Sequence, residues 1–558
     1  MADTPGVLIA GAGPVGLTAA HELARRGVGV RIVDQAPGPA ETSRALAVHA
    51  RTLEVFDQMG VLPRLLPRGR RVEHFTIHMH GRVLIRFDTD YSRMPTRFPF
   101  SLMVDQVVTE EVLRESLRRL GVPVEWGVGL ETFEPGPDGV AVRLRHADGT
   151  GEPVSTPWLV GADGAHSTVR KRLGLRLLGE ASETWLNADV LIDADLPADS
   201  NHLLHTGSGT LLLVPFPEAG KWRVIDTEDV DGADDPETVR ARLAGKISRA
   251  LGRPVTLSAP SWISVFAVQQ RMVESMRVGR CLVAGDAAHV HSPASGQGMN
   301  TGIQDAYNLA WKLADVVRGH AGEELLDSYG AERVPIGAKL LGSTRKATAL
   351  VALRNAAAPV LLPAGLGLVR GVGPLKRKVE RATIRGFCGL VLAYPDSPLS
   401  LGRAAGVGER VACSLEAERG HEGWRHLCVE LADPRWTLLA DPGPAGRERA
   451  AADALEHIDR HYAAAVSVRA VQDAAEAGDA AGRARPLADP DGGLRRSLGL
   501  PPGGWLLIRP DGYLAARGPL TDARALASVL AAVHLKSAPV PVPPPPAPAA
   551  PPAPRGRA

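Results

Sequence analysis

A glycine-rich segment near the beginning of the chain, residues 7–16, limits what the sequence can fold into more than any other feature. The apolar run Val7–Ala10 predicts a buried strand. It leads directly into Gly11-x-Gly13-x-x-Gly16, with Pro14 inside the loop, and then into a predicted helix. A strand, a glycine loop and a helix in this order are typical of a dinucleotide-binding unit in an α/β domain.

The three glycines have separate roles in such a unit. Gly11 permits the tight turn, Gly13 lets the backbone approach a pyrophosphate, and Gly16 lets the helix pack closely on the strand. A second predicted strand, residues 28–33, ends in Asp34, about 20 residues after the glycines, where a carboxylate can accept the ribose hydroxyls. The alternative is a glycine-rich turn without function, but the two strands and the acidic residue favour the nucleotide site.

Length and charge narrow the class of protein. The 558 residues are enough for about three domains. Lys and Arg number 64 against 62 Asp and Glu, a formal net charge of +2, so nothing indicates a nucleic-acid partner. The hydrophobic content of 44% is typical of a globular protein.

The cysteines and the hydropathy pattern indicate where in the cell the protein is found. The four cysteines have neither CxxC nor metal-ligand spacing; they are Cys281, Cys388, Cys413 and Cys428. We therefore expect no metal site, and we expect the protein to be in the reducing cytoplasm. No apolar run approaches the about 20 residues that a membrane-spanning helix needs. The first residues lack the basic and apolar pattern of a signal peptide.

Two later segments repeat the pattern of a strand that ends in a polar turn. Asp163-Gly164 follows an apolar strand end, and Gly285-Asp286 follows the predicted strand at residues 281–284. Since ligands lie beyond the carboxyl ends of parallel strands, both turns are predicted to face the same nucleotide. The Asp163 turn also fits a simple strand–turn–helix junction, whereas the Asp286 carboxylate suits polyol hydroxyls.

A loop after Asp286 leads into a predicted helix at residues 299–317. Gly296 and Gly298 permit close backbone approach, and the positive end of the helix dipole suits a negative charge that develops on a ring system. His289 and His291 are interpreted as loop histidines and not as a metal pair.

Other candidate residues have two interpretations each. Arg44 is placed to contact a phosphate or ribose, whereas Arg51 fits a ligand contact and a solvated helix residue equally well. Between residues 178 and 268 the pattern alternates as in strands, and we expect a sheet whose wide face forms the floor of an aromatic substrate site. Gln269, Gln270 and Arg271 at its last strand are possible pocket groups, with surface residues as the favoured interpretation.

Together these motifs resemble the FAD-dependent aromatic hydroxylases, the single-component flavoprotein monooxygenases of the para-hydroxybenzoate hydroxylase type. The larger members, which modify aromatic polyketides in antibiotic biosynthesis, are nearest in layout. The resemblance covers residue 3 to about residue 345 and implies that FAD is held by Gly11, Gly13, Pro14, Gly16, Asp34, Arg44, Gln106, Asp163, Asp286, Pro293, Gly296, Gly298, Met299 and Asn300. It places Asp34 on the adenosine ribose, Asp163 near both FAD and NAD(P)H, Asp286 on the ribityl chain, and the segment from Pro293 to Asn300 beside the isoalloxazine ring.

The resemblance also implies a reaction. NADPH or NADH reduces FAD, dioxygen adds at flavin C4a, and the distal oxygen of the hydroperoxide passes to a polycyclic phenol. The catalytic residues are unknown, because the cofactor supplies the chemistry. Baeyer–Villiger oxygenation of a related ketone remains open, as does a flavin reductase or assembly protein without oxygenase activity; the W-x-W-x-I-P segment of flavin halogenases is absent.

The resemblance and the composition divide the chain. Residues 1–177 and 271–393 form a Rossmann-like FAD-binding domain, with substrate-sheet strands around 72–104, and residues 178–270 form the inserted substrate sheet. Residues 394–536 resemble a thioredoxin-like domain without CxxC, in which the two cysteines are expected to lie too far apart for thiol exchange. Residues 537–558, almost all Pro and Ala, predict a disordered tail or a recognition segment. A monomer or a homodimer is expected.

Overall fold

The computed structural model describes residues 5–206, 209–290, 296–338, 358–443, 448–473 and 485–537. The predicted site residue Pro293 therefore lies outside the described residues. So does the predicted tail at 537–558, except for residue 537.

A largely parallel sheet forms the centre of the nucleotide-binding part. Its strands are β1 (Val7–Ala10), β2 (Val30–Asp34), β8 (Val124–Trp126), β12 (Trp158–Gly161), β19 (Arg277–Val278) and β20 (Cys281–Val283). They lie in the order β19-β20-β12-β1-β2-β8, and only β19 runs antiparallel to its neighbour among these. Every residue of β1 is buried, with Ile9 opposite Val160 and Ile32, so the central strand is apolar on both faces.

Helices cover this sheet and connect its strands. They are α1 (Pro14–Ala24), α2 (Ala50–Gln58), α3 (Leu62–Leu65), α4 (Gln106–Arg119) and α5 (Thr168–Arg172), with a short 3-10 turn at Leu66–Arg68. Two small antiparallel sheets lie beside it, one of β3 (Ala47–Val48), β4 (Arg70–Val72) and β7 (Ser101–Met103), the other of β9 (Val128–Pro135), β10 (Val140–His146) and β11 (Gly151–Thr156).

A second large sheet is inserted between these elements. Its strands are β5 (His74–Met79), β6 (Arg82–Asp88), β13 (Leu178–Asp193), β14 (Ser200–His205), β15 (Thr210–Pro215), β16 (Lys221–Asp226), β17 (Thr256–Leu257), β18 (Trp262–Met272) and β21 (His289–Val290). One face is covered by α6 (Pro236–Leu251), whose Val239, Leu243 and Ile247 are fully buried against it. Of the predicted strands around 72–104, only β5 and β6 join this sheet.

One helix, α7 (Gly298–Val317), runs through the middle of the molecule. The sequence predicts a single buried stripe, but every residue from Asn300 to Ala314 is buried. The apolar stripe packs in the nucleotide-binding core, whereas Trp311 belongs to a second core with Trp436, whose ring lies edge-on at 5.3 Å. A 3-10 turn at Glu323–Leu326 follows.

Residues 327–338 are helical and follow this turn, and helices α8 (Ala358–Gly371) and α9 (Gly373–Phe387) lie in the next described part of the chain. The Pro and Gly residues over 362–373 predict a break between helices; the structure confines it to Val372, because α8 continues through Pro363. The sequence also predicts one strand over residues 122–130, whereas the structure has two, β8 and β9, because Gly127 turns the chain with φ +70°.

The C-terminal part has its own sheet. Its strands are β22 (Trp436–Ala440), β23 (Val466–Gln472), β24 (Arg485–Ala488), β25 (Gly504–Ile508) and β26 (Leu514–Pro519), and its helices are α10 (Leu415–Gly420), α11 (Glu422–Glu430), α12 (Glu448–Tyr462), α13 (Gly493–Leu498) and α14 (Ala523–Ala532). The order β24-β23-β22-β25-β26, with β25 antiparallel to β22, is the thioredoxin-like arrangement. The fold class is thus as predicted, while the domain boundaries at residues 177, 270, 393 and 536 stay predictions.

One expectation about this C-terminal part is wrong. Cys413 and Cys428 are separated by 15 positions, yet their sulfur atoms lie 3.8 Å apart, because α11 folds back over the segment that precedes α10. Distance therefore does not prevent these two thiols from reacting with each other.

Candidate functional site

The glycine loop after β1 has the geometry that the spacing predicts. Gly11 has φ +102°, and a Cβ there would lie 2.3 Å from the Ala162 carbonyl oxygen. A Cβ on Gly16 would lie 1.9 Å from the Gly11 carbonyl oxygen, so both positions require glycine. Gly13 differs, because a Cβ there meets no protein atom within 4 Å. Pro14 occupies the first turn of α1, where a missing N–H costs nothing.

Asp34 lies beneath this loop at the end of β2. Its carboxylate accepts hydrogen bonds from the backbone N–H groups of Ala12, at 2.7 Å, and Ala36, at 2.9 Å. The side chain thus connects the glycine loop to the segment that follows β2, and it is half-buried at the rim where a ribose would lie.

Asp163, at the end of β12, has a structural role that its motif also allowed. Its carboxylate accepts a hydrogen bond from the Ser167 hydroxyl and from the N–H groups of Thr168, at 2.7 Å, and Val169, at 3.1 Å. It therefore caps the first turn of α5. The strand–turn–helix junction accounts for Asp163 without a ligand, although the turn does lie at the carboxyl edge of the sheet.

Asp286 follows β20 at the carboxyl edge of the parallel sheet. The space along this edge, between the glycine loop, Asp286 and the beginning of α7, is called the cleft below. The side chain is exposed to solvent, while Gly285 before it turns with φ +61° against Val15. The protein that surrounds the carboxylate raises its pKa, and the positive charges of His289 and Arg44 act in the opposite direction. The exposed carboxylate thus lies near enough to Arg44 for the guanidinium to act on it.

Behind the cleft is a buried ion network that the sequence interpretation missed. Asp305 of α7 accepts hydrogen bonds from His289 Nε2 at 2.5 Å, Arg333 Nε at 2.7 Å and the Gly285 N–H at 3.1 Å. His289 is therefore a core residue on β21 and not a loop histidine; His291 lies outside the described residues. The polar positions Gln304, Asn308 and Lys312, spaced four residues apart on α7, were the signal that the helix has a second buried face.

The beginning of α7 closes one end of the cleft. Asn300 is buried, its Oδ1 accepts the His49 N–H at 2.9 Å, and its Nδ2 donates to the carbonyl oxygens of Ala47 and Gly296, both at 2.8 Å. The amide therefore holds the loop in place and does not itself point to a ligand. The first N–H groups of an α-helix have no partner within the helix, so those of Gly298, Met299 and Asn300 can donate to a ligand.

The Arg44 segment is held from two sides. Gln106 accepts the Ala45 N–H at 3.0 Å and donates to Glu110 at 2.8 Å. Arg223 of the inserted sheet donates to the Ser43 and Arg44 carbonyl oxygens, each at 2.8 Å. The Arg44 side chain itself is exposed.

Arg51 belongs to neither of its two predicted environments. It is buried, donates to the Asp511 carbonyl oxygen at 2.8 Å and lies over the Tyr513 ring, so it joins α2 to the C-terminal part. The sequence offered no signal for this contact across 460 positions.

The face of the inserted sheet away from α6 carries a largely buried apolar cluster that includes three aromatic side chains. Trp185, Leu203, Leu212 and Ile225 form a cluster with Phe75, Ile77, Val214 and Phe266 on the side away from α6. Val214 continues it to Leu46 and Ala47, and a Cβ on Gly296 would lie 3.3 Å from the Ala47 Cβ. The favoured surface interpretation of Gln270 is wrong, since it is 8% exposed, and Arg271 is half-buried.

Among the described residues, no group of three or more His, Cys, Asp or Glu side chains could hold a metal ion. The described helices include none that is long and apolar enough to cross a membrane.

Comparison with known proteins decides the family. Residues 4–344 match the family model described as "FAD binding domain". The 6-methylpretetramide 4-monooxygenase of Streptomyces rimosus is 61% identical over 541 residues, which cover 96% of this chain and 94% of that protein.

The chain belongs to this FAD-binding family. It is an FAD-dependent monooxygenase, as the three motifs indicated. The pentachlorophenol 4-monooxygenase of Sphingobium chlorophenolicum is 33% identical, over 95% of this chain and 97% of that protein. Among solved structures, the OxyS anhydrotetracycline hydroxylase from Streptomyces rimosus has a TM-score of 0.71 at 29% identity and covers 96% of this chain and 100% of that one.

The cleft of this FAD-dependent monooxygenase fits its cofactor. Open space at Gly13, the exposed Asp286 carboxylate and the free N–H groups at the beginning of α7 lie at the carboxyl edge of one parallel sheet. A dinucleotide carries a pyrophosphate, a polyol chain and an electron-poor ring. The space at Gly13, the Asp286 carboxylate and the N–H groups of α7 are complementary to these three parts in turn.

Proposed function

We propose that this monooxygenase hydroxylates a polycyclic phenol of the 6-methylpretetramide type, with FAD as cofactor, NADPH or NADH as reductant and dioxygen as the source of oxygen. The observation that carries the proposal is the 61% identity to the 6-methylpretetramide 4-monooxygenase over nearly the full length of both chains. The same proposal includes a cytoplasmic location, where NAD(P)H is available, and a monomeric or homodimeric state.

The apolar cluster on the face of the inserted sheet away from α6 supports a large flat substrate. Its aromatic and aliphatic side chains form one continuous surface that borders the Ala47–Gly296 contact next to the cleft. Burial of a fused ring system on such a surface is favourable at about 25 cal/mol per Å² of apolar area. We infer that the substrate lies between this face and the beginning of α7.

The residues of the cleft have separate proposed tasks. Gly13 leaves room for the pyrophosphate, Asp34 lies at the ribose, and Asp286 binds the hydroxyls of the ribityl chain. The first turn of α7 donates N–H groups to the ring, where the positive helix end stabilises a negative charge. When bound, FAD accepts a hydride from NAD(P)H and activates dioxygen.

The orientation of the substrate sheet relative to this cleft rests on Arg223. Its guanidinium forms two 2.8 Å hydrogen bonds with the Asp189 carboxylate and reaches the carbonyl oxygens of Ser43 and Arg44. It also lies over the Trp262 ring at 4.7 Å. We infer that this buried side chain keeps the substrate face and the Arg44 segment in register, so that the substrate ring is held near the cofactor and water is excluded.

The test of the substrate is a product analysis. The purified holoenzyme is incubated with 6-methylpretetramide, NADPH or NADH and air, and the product is examined by mass spectrometry and NMR. We expect the gain of one oxygen atom as a hydroxyl at a ring carbon, with one reductant consumed per product. A ring-expanded lactone, or reductant consumption without any oxygenated product from a panel of tetracyclic phenols, contradicts the proposal.

The role of Asp286 is tested by flavin retention. Asp286→Asn removes a charged hydrogen-bond acceptor, worth about 1.5–3 kcal/mol, so we expect FAD to bind about ten- to a hundredfold more weakly. Asp327→Asn is the matched control, since that carboxylate is exposed and pairs with Arg277 on the surface. Equal FAD dissociation constants for both variants and the parent protein, measured by flavin fluorescence, rule out the assigned role.

A further inference from the structure

Two cysteines of the C-terminal part form a pair in space. Cys413 comes directly before Ser414, the N-cap of α10, and Cys428 lies on α11. Their Sγ atoms are 3.8 Å apart. A disulfide needs about 2 Å, so side-chain rotation with a small movement of one segment is enough to join them.

The two thiols differ in access. Cys413 is 5% exposed, whereas Cys428 is half-buried and precedes Val429, which is 76% exposed on the outer side of α11. A small oxidant can therefore reach Cys428 from solvent, while Cys413 lies behind it.

The two thiols also differ in pKa, because of the hydrogen bond between them and the charges around them. The hydrogen bond from Cys413 lowers the pKa of Cys428, and the nearby Arg97 guanidinium acts in the same direction, against burial and the Glu418 and Asp57 carboxylates. The same hydrogen bond, together with burial, raises the pKa of Cys413. Cys428 is thus the better nucleophile, since the thiolate is the reactive form.

The other two cysteines are internal controls. Burial raises the pKa of Cys281 to about 12 and that of Cys388 to about 11. Cys281 is fully buried in the nucleotide-binding sheet, and Cys388 lies 3.9 Å from the Met94 thioether, which cannot form a disulfide. Neither has the features of a reactive thiol.

We propose that Cys413 and Cys428 are a reversible oxidation site, at which hydrogen peroxide converts the dithiol into a disulfide. Peroxide is the product that an FAD-dependent monooxygenase releases when reduced flavin and dioxygen react without oxygen transfer to substrate. The oxidant therefore arises from the activity of the same chain.

The reaction balances in two steps. The Cys428 thiolate attacks one peroxide oxygen, an S–O bond forms, the O–O bond breaks, and the hydroxide that leaves takes up a proton to give water. The Cys413 sulfur then attacks the Cys428 sulfur, the S–S bond forms, the S–O bond breaks, and a second water leaves with the Cys413 proton. The two thiols lose two electrons, and one peroxide becomes two waters.

The position of the pair connects it to the contact between the two parts of the molecule. Glu418 of α10 accepts a hydrogen bond from Arg97 at 2.8 Å, and the same guanidinium pairs with Asp57 of α2. The disulfide would join the segment before α10 to α11 and so close a loop around Glu418. Oxidation thus constrains the segment that holds Arg97.

The experiment uses the full-length holoenzyme with equimolar hydrogen peroxide, followed by thiol counting in denaturant and tryptic mass mapping. We expect two of the four thiols to disappear, to return after dithiothreitol, and to be found as peptide 411–419 joined to peptide 426–435 with the loss of two hydrogen atoms. Cys388→Ala, the matched control, is expected to lose two thiols in the same way.

Single variants of the pair distinguish the proposed order. In Cys413→Ala we expect a single-oxygen adduct on Cys428 and no cross-link; in Cys428→Ala we expect Cys413 to stay reduced. Free glutathione in the same tube shows that the peroxide is active. If all four protein thiols stay intact while the glutathione is consumed, the proposal is overturned. A cross-link that involves Cys281 or Cys388 overturns it as well.

Discussion

Gly13 and Gly16 are three residues apart, Gly13 as the N-cap of α1 and Gly16 in its first turn, and their surroundings differ. A Cβ on Gly16 would lie 1.9 Å from the Gly11 carbonyl oxygen, so its replacement disturbs the protein itself. A Cβ on Gly13 meets no atom within 4 Å, and its φ of −72° is open to any residue. At the scale of the residue, the fold requires Gly16 but not Gly13, and the proposed reason for Gly13 is the ligand.

This difference is testable with a pair of variants. We expect Gly13→Val to keep the melting temperature of the flavin-free protein, because the side chain extends into open space, and to lose FAD, because that space is the proposed pyrophosphate site. Gly16→Ala is expected to lower the melting temperature of the same flavin-free form. Thermal unfolding by circular dichroism and flavin content after gel filtration measure the two effects.

The prediction for Gly13 has a clear contrary outcome. If Gly13→Val binds FAD as tightly as the parent protein, the pyrophosphate lies elsewhere. If flavin-free Gly13→Val unfolds at the lower temperature expected of Gly16→Ala, the fold itself requires glycine at position 13.

At the scale of the element, α7 connects the cofactor cleft to the core through Asp305. This buried carboxylate receives hydrogen bonds from His289, Arg333 and the Gly285 N–H. Burial alone would raise its pKa, but the charges and hydrogen bonds of His289 and Arg333 lower it to about 2. The helix thus keeps the Gly285–Asp286 turn in place by an ionised side chain that has no contact with the proposed ligand.

Removal of this charge tests the network. Asp305→Asn leaves Arg333 buried without its anion, and we expect a loss of about 3–5 kcal/mol in the free energy of unfolding. Asp199→Asn is the control, because that carboxylate pairs with Arg86 on the surface and contributes about 1 kcal/mol or less. Urea unfolding of the two variants, monitored by tryptophan fluorescence, gives both values; similar midpoints would contradict the assignment.

The pH dependence of stability follows from the same carboxylate. Its folded pKa is below the ordinary value of 3.8, so the folded state binds the proton more weakly than the unfolded state. The stabilisation is present above the unfolded pKa and is lost as the pH falls from about 5 towards 2. We expect the parent protein to lose more stability than Asp305→Asn over this window, as measured by urea midpoints at successive pH values.

At the scale of the whole molecule, the C-terminal part covers a face of the nucleotide-binding part. Trp311 of α7 is fully buried against Trp436, and Arg509 forms two hydrogen bonds, at 2.6 and 2.9 Å, with the buried Glu332 carboxylate. Lys312 joins this ion cluster, and burial lowers its pKa to about 8 although Glu332 opposes the shift. The contact is thus both apolar and charged, and neither part can satisfy it alone.

Truncation tests this dependence. A chain that ends at residue 393 exposes Trp311 and leaves Glu332 and Lys312 without Arg509, so we expect most of it to be found in the pellet after lysis. Co-expression of residues 394–537 as a second chain is the control and is expected to restore the supernatant fraction. A truncated chain that stays in the supernatant as a monomer with full FAD content would show that the C-terminal part is not required for folding.

The sequence by itself determined the glycine loop and the family, because both rest on motifs whose spacing reflects local backbone geometry. Gly11 and Gly16 are required wherever a strand turns this tightly into a helix, and such a requirement appears as a spacing along the chain. The strands of the inserted sheet were predictable from short-range alternation for the same reason. Only the tertiary structure decided the partners of long-range contacts: Arg51 with Asp511, Asp305 with Arg333, Asn300 with Ala47, and Cys413 with Cys428. These pairs depend on how whole elements pack, and packing brings together residues whose separation along the chain carries no trace of their distance in space.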